Sequence, residues 1–166
     1  MGPPPGAYRT AAAYLRRQPT PGGAEAFFPD KRGNLVVVVP QGAGSVKVRL
    51  APDSIWGYVS QKQRTFRIYR GQEYRLVHAD TLSIYTVNAE QTSAAMSGGP
   101  RYYFSRGLKG LIFPLTVPYL RKVYAAGNPA FAAALGEMPL HHSLVDLDRK
   151  TGLYRVTTLY RQAAPR

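Results

Sequence analysis

Apolar and polar residues alternate through the middle of the chain, and the spacing changes to a helical one towards its end. A period of two marks a half-buried strand, and a period near 3.6 marks an amphipathic helix. Val46, Val48 and Leu50 alternate with Lys47 and Arg49, which predicts a strand with one face inward. Leu35 to Val39 is an unbroken β-branched run, which predicts a strand covered on both faces. Arg64, Phe66 and Ile68 share one parity, with Phe66 and Ile68 facing the core. Thr65, Arg67 and Tyr69 share the other, with Arg67 on a soluble exterior. Further strands are expected at Ala26–Pro29, Ile55–Val59, Glu73–Ala79, Leu82–Asn88, Arg101–Ser105 and Leu111–Leu115.

Turn residues punctuate these runs. Gly42-Ala43-Gly44, Pro52, Gln61 to Gln63, Arg70-Gly71-Gln72 and Arg106 to Gly110 separate the strands, and Glu90 to Pro100 reads as a polar loop. Helices bracket the β-region. Thr10 is placed to cap a short helix over Ala11 to Leu15, stopped by Pro19 and Pro21. Thr116 precedes a helical stripe of Tyr119, Leu120, Val123 and Tyr124, with Pro118 in its first turn. Asn128 is placed to cap a second stripe of Phe131, Ala134 and Leu135, and Asp148 or Thr151 a closing helix. The expected fold class is α+β: an antiparallel, strongly curved or barrel-like meander of about six to eight strands with an N-terminal helix and C-terminal helices. Residues 1–7 are expected to be a disordered leader and residues 8–166 a single domain.

Composition changes this picture in one respect. Twenty-two Lys and Arg face nine Asp and Glu, a net charge of +13, so polyanions are attracted. The basic residues are spread along the whole chain and most are Arg, which reads partly as the habit of a GC-rich genome. Twelve tyrosines suit half-buried strands, where the ring packs and the hydroxyl reaches water. The absence of cysteine excludes disulfides, Cys-based zinc sites and a thiol nucleophile. Met1 to Gly6 lacks the apolar core of a secretory signal, so the expected location is the cytoplasm or, for a trimmed form, the periplasm or envelope.

No catalytic motif emerges. Glu73 and His78 differ in parity on one strand and point to opposite faces. His141-His142 with Asp146 and Asp148 matches no metalloenzyme spacing and reads as a solvated turn. Ser54, Ser60, Ser83 and Ser105 lie in no nucleophile elbow, and Gly42-Ala43-Gly44 sits between strands rather than before a helix. No catalytic residue, metal ligand or cofactor-binding residue is therefore assigned. The candidate polyanion site is Lys62, Arg64, Arg67, Arg70 and Arg75, interleaved with Phe66, Tyr69 and Tyr74 on a two-stranded ribbon. Trp56, Tyr58 and Tyr69 are the candidate ligand-facing rings. Gly57 is expected to admit a close approach by another backbone or ring.

Asp53-Ser54-Ile55-Trp56-Gly57-Tyr58-Val59, followed by Phe66-Arg67-Ile68-Tyr69 and Tyr74, resembles a strand motif of uncharacterised Bacteroidota proteins. Tyr102-Tyr103-Phe104-Ser105-Arg106-Gly107 with Ile112-Phe113-Pro114-Leu115-Thr116 is similar to a second element of that group. So are Leu120, Asn128, Phe131 and Leu135, and Tyr8-Arg9-Thr10 with Tyr14-Leu15. The resemblance covers roughly residues 8–160 and implies no activity, cofactor or catalytic residue. Many members carry export signals, which implies an envelope location, whereas Met1 to Gly6 departs from that pattern. The function expected is that of a non-catalytic binding or scaffold module, envelope- or stress-associated, with a protein partner open. The alternative is a module binding nucleic acid or an anionic surface, and an enzyme with an atypical site comes third.

Overall fold

The computed structural model describes residues 2–87 and 101–163. Its contacts divide the chain into two compact units. The first holds the described residues up to 79 together with Tyr85–Val87 and Arg101; the second holds residues 80–84 and 102–163. The architecture is α+β, with ten strands and four α-helices among the described residues.

In the first unit, strands β1 (Gly6–Tyr8), β5 (Gly57–Val59), β6 (Thr65–Tyr69) and β7 (Gln72–His78) are successive neighbours, followed by the end of β8 (Leu82–Val87). A separate antiparallel sheet holds β2 (Ala26–Pro29), β3 (Leu35–Gln41) and β4 (Gly44–Leu50). Helix α1 (Ala11–Leu15) starts at Thr10, whose hydroxyl accepts from the Ala13 amide at 3.0 Å. Two residues of the disordered leader expected over residues 1–7 belong to a strand instead. Gly6 and Ala7 pair with Val59 and Tyr58, and Ala7 is fully buried.

Hairpin geometry fixes the register. Gln41 pairs with Gly44, so Gly42-Ala43 is a two-residue loop, with φ +60° at Gly42. Tyr69 pairs with Gln72 across Arg70-Gly71, both with positive φ, the type I′ pattern that matches strand twist. Leu35, Val37, Leu50, Ile55 and Ala7 form the core of this unit, with Tyr58 and Ile68 packed against it. Val36 and Val38, of the other parity on β3, are buried too, so that strand is covered on both faces.

In the second unit, the start of β8 neighbours β9 (Arg101–Arg106), which pairs with the short β10 (Phe113–Pro114). Helices α2 (Val117–Tyr124), α3 (Pro129–Glu137) and α4 (Arg155–Gln162) follow. Thr116 and Asn128 cap α2 and α3 through the amides of Tyr119 and Phe131. Helix α4 has no side-chain cap among the described residues. Asp148 and Thr151 bond instead to the amides of Lys150 and Leu153, inside the turn that joins Leu147 to Tyr154. Tyr124, Phe131 and Tyr160 pack with ring centroids 5.2–5.4 Å apart and join the three helices.

Two expectations change. The strand order has two ends, β1 and β10, so the sheet does not close into a barrel. The β-region is two sheets rather than one meander, because β2, β3 and β4 pair only with one another. The loop expected over Glu90–Pro100 lies outside the described residues. No described helix is long and apolar enough to cross a membrane.

Candidate functional site

The β6–β7 ribbon divides the basic residues chosen from the sequence. Phe66 pairs with Arg75 and Ile68 with Glu73, so these side chains share the face that packs on the core of the first unit. Arg67 pairs with Tyr74 and Tyr69 with Gln72 on the opposite face. Lys62, Arg64, Arg70 and Arg75 are exposed, whereas Arg67 is only 5% exposed. The soluble exterior expected for Arg67 is therefore corrected. Its Nη1 donates to the Tyr85 hydroxyl at 3.1 Å, and its guanidinium lies 5.3 and 5.8 Å from the Tyr69 and Tyr85 ring centroids. Those rings supply the negative π-face that a buried cation requires. Arg70 covers the Tyr69 ring at 5.1 Å.

The three candidate rings do not converge either. Trp56 stacks on Tyr14 of α1 at 4.9 Å. Tyr58 lies between Phe27 and Phe66 at 5.1 and 5.0 Å, and its hydroxyl donates to Glu73 at 2.9 Å. Burial pushes the Tyr58 phenol upward, and the Glu73 carboxylate adds to the shift, so this hydroxyl remains a donor. Tyr69 meets Tyr74 edge-on. Each ring is engaged in packing within the first unit.

The residues weighed for catalysis hold local turns. Ser54 and Ser83 donate to carbonyls three residues back, Ser105 donates to Gly107, and Ser60 accepts from the Arg64 amide. The His141 and His142 rings touch at 4.5 Å, but Asp146 accepts from the Ser143 amide and from Arg155, and Asp148 from Lys150. Among the described residues no group of three or more ligating side chains converges.

A concave feature instead lies in the second unit. A cavity of about 500 Å³ is walled by Leu115, Val117, Leu135, Met138, Leu140 and Val145, with Arg121, His142, Ser143 and Tyr102 carrying its polar groups. Its lower wall follows from chain chemistry. Met138 ends α3, and Pro139 cannot continue it. The returning loop is pinned by His142 N–H to the Pro139 carbonyl at 3.0 Å, Ser143 N–H to Asp146 at 3.1 Å and Arg155 N–H to the Asp146 carbonyl at 2.8 Å. Leu140 is left fully exposed at the rim. Arg121 reaches across from α2 and lies over Gly136, where an added Cβ would stand 3.3 Å from its Cζ. No carboxylate lines the cavity, and Arg121 has no ion pair among the described residues. Partial desolvation, with Arg155 and His141 adding to it, lowers the pKa of His142 and favours the neutral ring.

This groove escaped the sequence reading because its walls come from β9, α2, α3 and the loop after it. The one local signal was Met138-Pro139-Leu140, an apolar run at a helix end where turn residues are usual. No family model matches the chain, and neither the curated proteins nor the solved structures contain a match to it.

Proposed function

We propose that the chain is a non-catalytic binding module that seats a short apolar segment of a partner protein, carrying an acidic group, in the groove of the second unit. The observation that carries this reading is Leu140. A leucine fully exposed at the rim of an apolar cavity of about 500 Å³ retains hydration that a partner removes. The volume lies in the range of recognition pockets, roughly 300–1,000 Å³. Charge complementarity selects the acidic group. Arg121 is the cation held at the groove by contact with Gly136, and a carboxylate on the partner meets no like charge in the walls. The division of the ribbon cations between two faces, with Arg67 buried, favours this reading over a polyanion module.

The test is selection of a random peptide display library against the intact chain, followed by affinity measurement on the enriched peptides. Enrichment of apolar residues around an Asp or Glu is expected. Leu140→Asp and Arg121→Glu, both at exposed positions, should each weaken those peptides by roughly tenfold or more with an unchanged circular dichroism spectrum. Peptides without that character, or peptides indifferent to both substitutions, would overturn the reading.

A further inference from the structure

A second cavity of the same unit, about 360 Å³, has a different chemistry. It is lined by Thr81, Arg106, Gly107, Tyr124, Gly127, Asn128 and Tyr160, and no carboxylate is among them. Tyr124, itself only 4% exposed, and the half-buried Tyr160 meet edge-on at 5.4 Å, and Tyr160 gives the cavity its open aromatic wall. Arg106 lies with its Cζ 5.7 Å from the Tyr124 ring centroid, and its Nη2 is 3.6 Å from where a Cβ on Gly127 would be. The guanidinium is thus held over a bare stretch of main chain. It has no ion pair among the described residues. The neighbouring cation, Arg161, is already taken by Asp80 at 3.3 Å.

Asn128 supplies an independent observation. Its Oδ1 caps α3 by accepting from the Phe131 amide at 3.1 Å, which fixes the orientation of the carboxamide. The residue is only 7% exposed, and its Nδ2 has no hydrogen-bond partner among the described residues. A buried amide donor without an acceptor is costly, and native structures leave few. The polar side chains that line this cavity are the Arg106 fork and the Thr81 and Tyr160 hydroxyls, with the Asn128 amide buried behind its wall. The Tyr124 hydroxyl is directed at the Thr81 carbonyl, 3.4 Å away. Burial raises the Tyr124 phenol, with Tyr160 and Asp80 adding to the shift and Arg106 opposing it, so it does not become a competing anion.

We propose that this cavity binds a small organic carboxylate with a planar apolar body. The carboxylate takes the guanidinium fork, and the body lies against the tyrosine wall. One free cation balances a monoanion; a phosphate dianion would be left half compensated. The site shares no lining residue with the groove around Leu140 and does not depend on that reading.

Benzoate is the probe, titrated into the intact chain while amide resonances are followed by heteronuclear NMR. Saturable shifts centred on Gly107, Gly127 and Asn128 are expected. Benzyl alcohol, which keeps the ring and removes the charge, should bind roughly tenfold more weakly or worse. Arg106→Gln should raise the benzoate Kd by a similar factor. Leu140→Asp should leave benzoate binding unchanged. Absence of saturable shifts, shifts centred elsewhere, or equal binding of benzyl alcohol would overturn the proposal. Inorganic phosphate binding as tightly as benzoate would also overturn it, in favour of a general oxyanion site.

Discussion

Gly57→Ala isolates the closest backbone approach in the first unit. Gly57 stands opposite Arg67 between β5 and β6. A Cβ built there collides with the Phe66 carbonyl oxygen and comes within 3.0 Å of the Arg67 Cα. Both obstacles are main chain of the adjoining strand, so no rotamer change relieves them. The adjoining link, Ile68 N–H to the Trp56 carbonyl at 2.8 Å, ties the strands together beside the clash. Overpacking typically costs about 1–3 kcal/mol, and a backbone obstacle places this case at the upper end, about 3 kcal/mol. For a chain of this length that corresponds to a fall in melting temperature of roughly 6–12 °C. Gly22→Ala is the matched control. Its Cβ meets only the Pro19 carbonyl at 3.7 Å, an ordinary contact, and the expected change is within about 0.5 kcal/mol. Thermal and urea denaturation of the two variants beside the parent measure both numbers. A Gly57→Ala protein that melts within about 2 °C of the parent would refute the close approach.

Arg67→Lys is expected to destabilise the chain by about 1–3 kcal/mol, because an ammonium cannot reproduce the planar stacking and directed bond to Tyr85. Burial lowers a lysine pKa, so urea melts of that variant should recover stability as the pH rises from neutral towards 10, whereas the parent should show no such recovery. Asp30→Ala removes an acceptor that takes the Arg32 and Asn34 amides, each at 2.9 Å, in the β2–β3 turn. Desolvation raises the Asp30 pKa, but those hydrogen bonds and Arg49 outweigh it, and the folded value lies below the usual carboxylate one. Between the two values the unfolded chain binds more protons, so this contribution is present at neutral pH and lost as the pH falls through the folded value. Thermal melts should therefore show Asp30→Ala less stable than the parent at pH 7, with the gap narrowing in acid; a constant gap would refute the linkage.

Much of the local structure was legible because it is decided locally. Thr10, Thr116 and Asn128 announce their helices, and each side chain accepts from the amide three residues on. Alternation over Val46 to Leu50 announces β4, and the β-branched run of β3 announces burial on both faces. Gly57 was readable as a close approach because a glycine inside a strand gives up packing. What was illegible depends on distant pairing. Three residues are too short for β1 to display a period, and its burial comes from β5, some fifty positions later. Charge predicts exposure for Arg67, yet its strand face is occupied by Tyr69, Tyr74 and Tyr85.

The positive charge takes on a different meaning once the side chains are placed. A net charge of +13 with Arg outnumbering Lys suggests a long-range field, or merely a compositional habit. Yet several of these arginines lie over tyrosine rings or bare main chain. Arg67 lies buried among tyrosine rings, Arg70 covers Tyr69, Arg106 lies over Tyr124 and Gly127, and Arg121 lies over Gly136. A planar, weakly hydrated cation can lie flat on a ring or on bare main chain and still offer its fork at the edge; a lysine ammonium cannot. Tyrosine and glycine are the residues that provide such surfaces, and both are abundant in this chain. The three compositional excesses are thus physically linked. Arg106 and Arg121 each border a cavity with no carboxylate among its described lining residues. Recognition of an anionic group at these two points follows from that local arrangement rather than from the net charge.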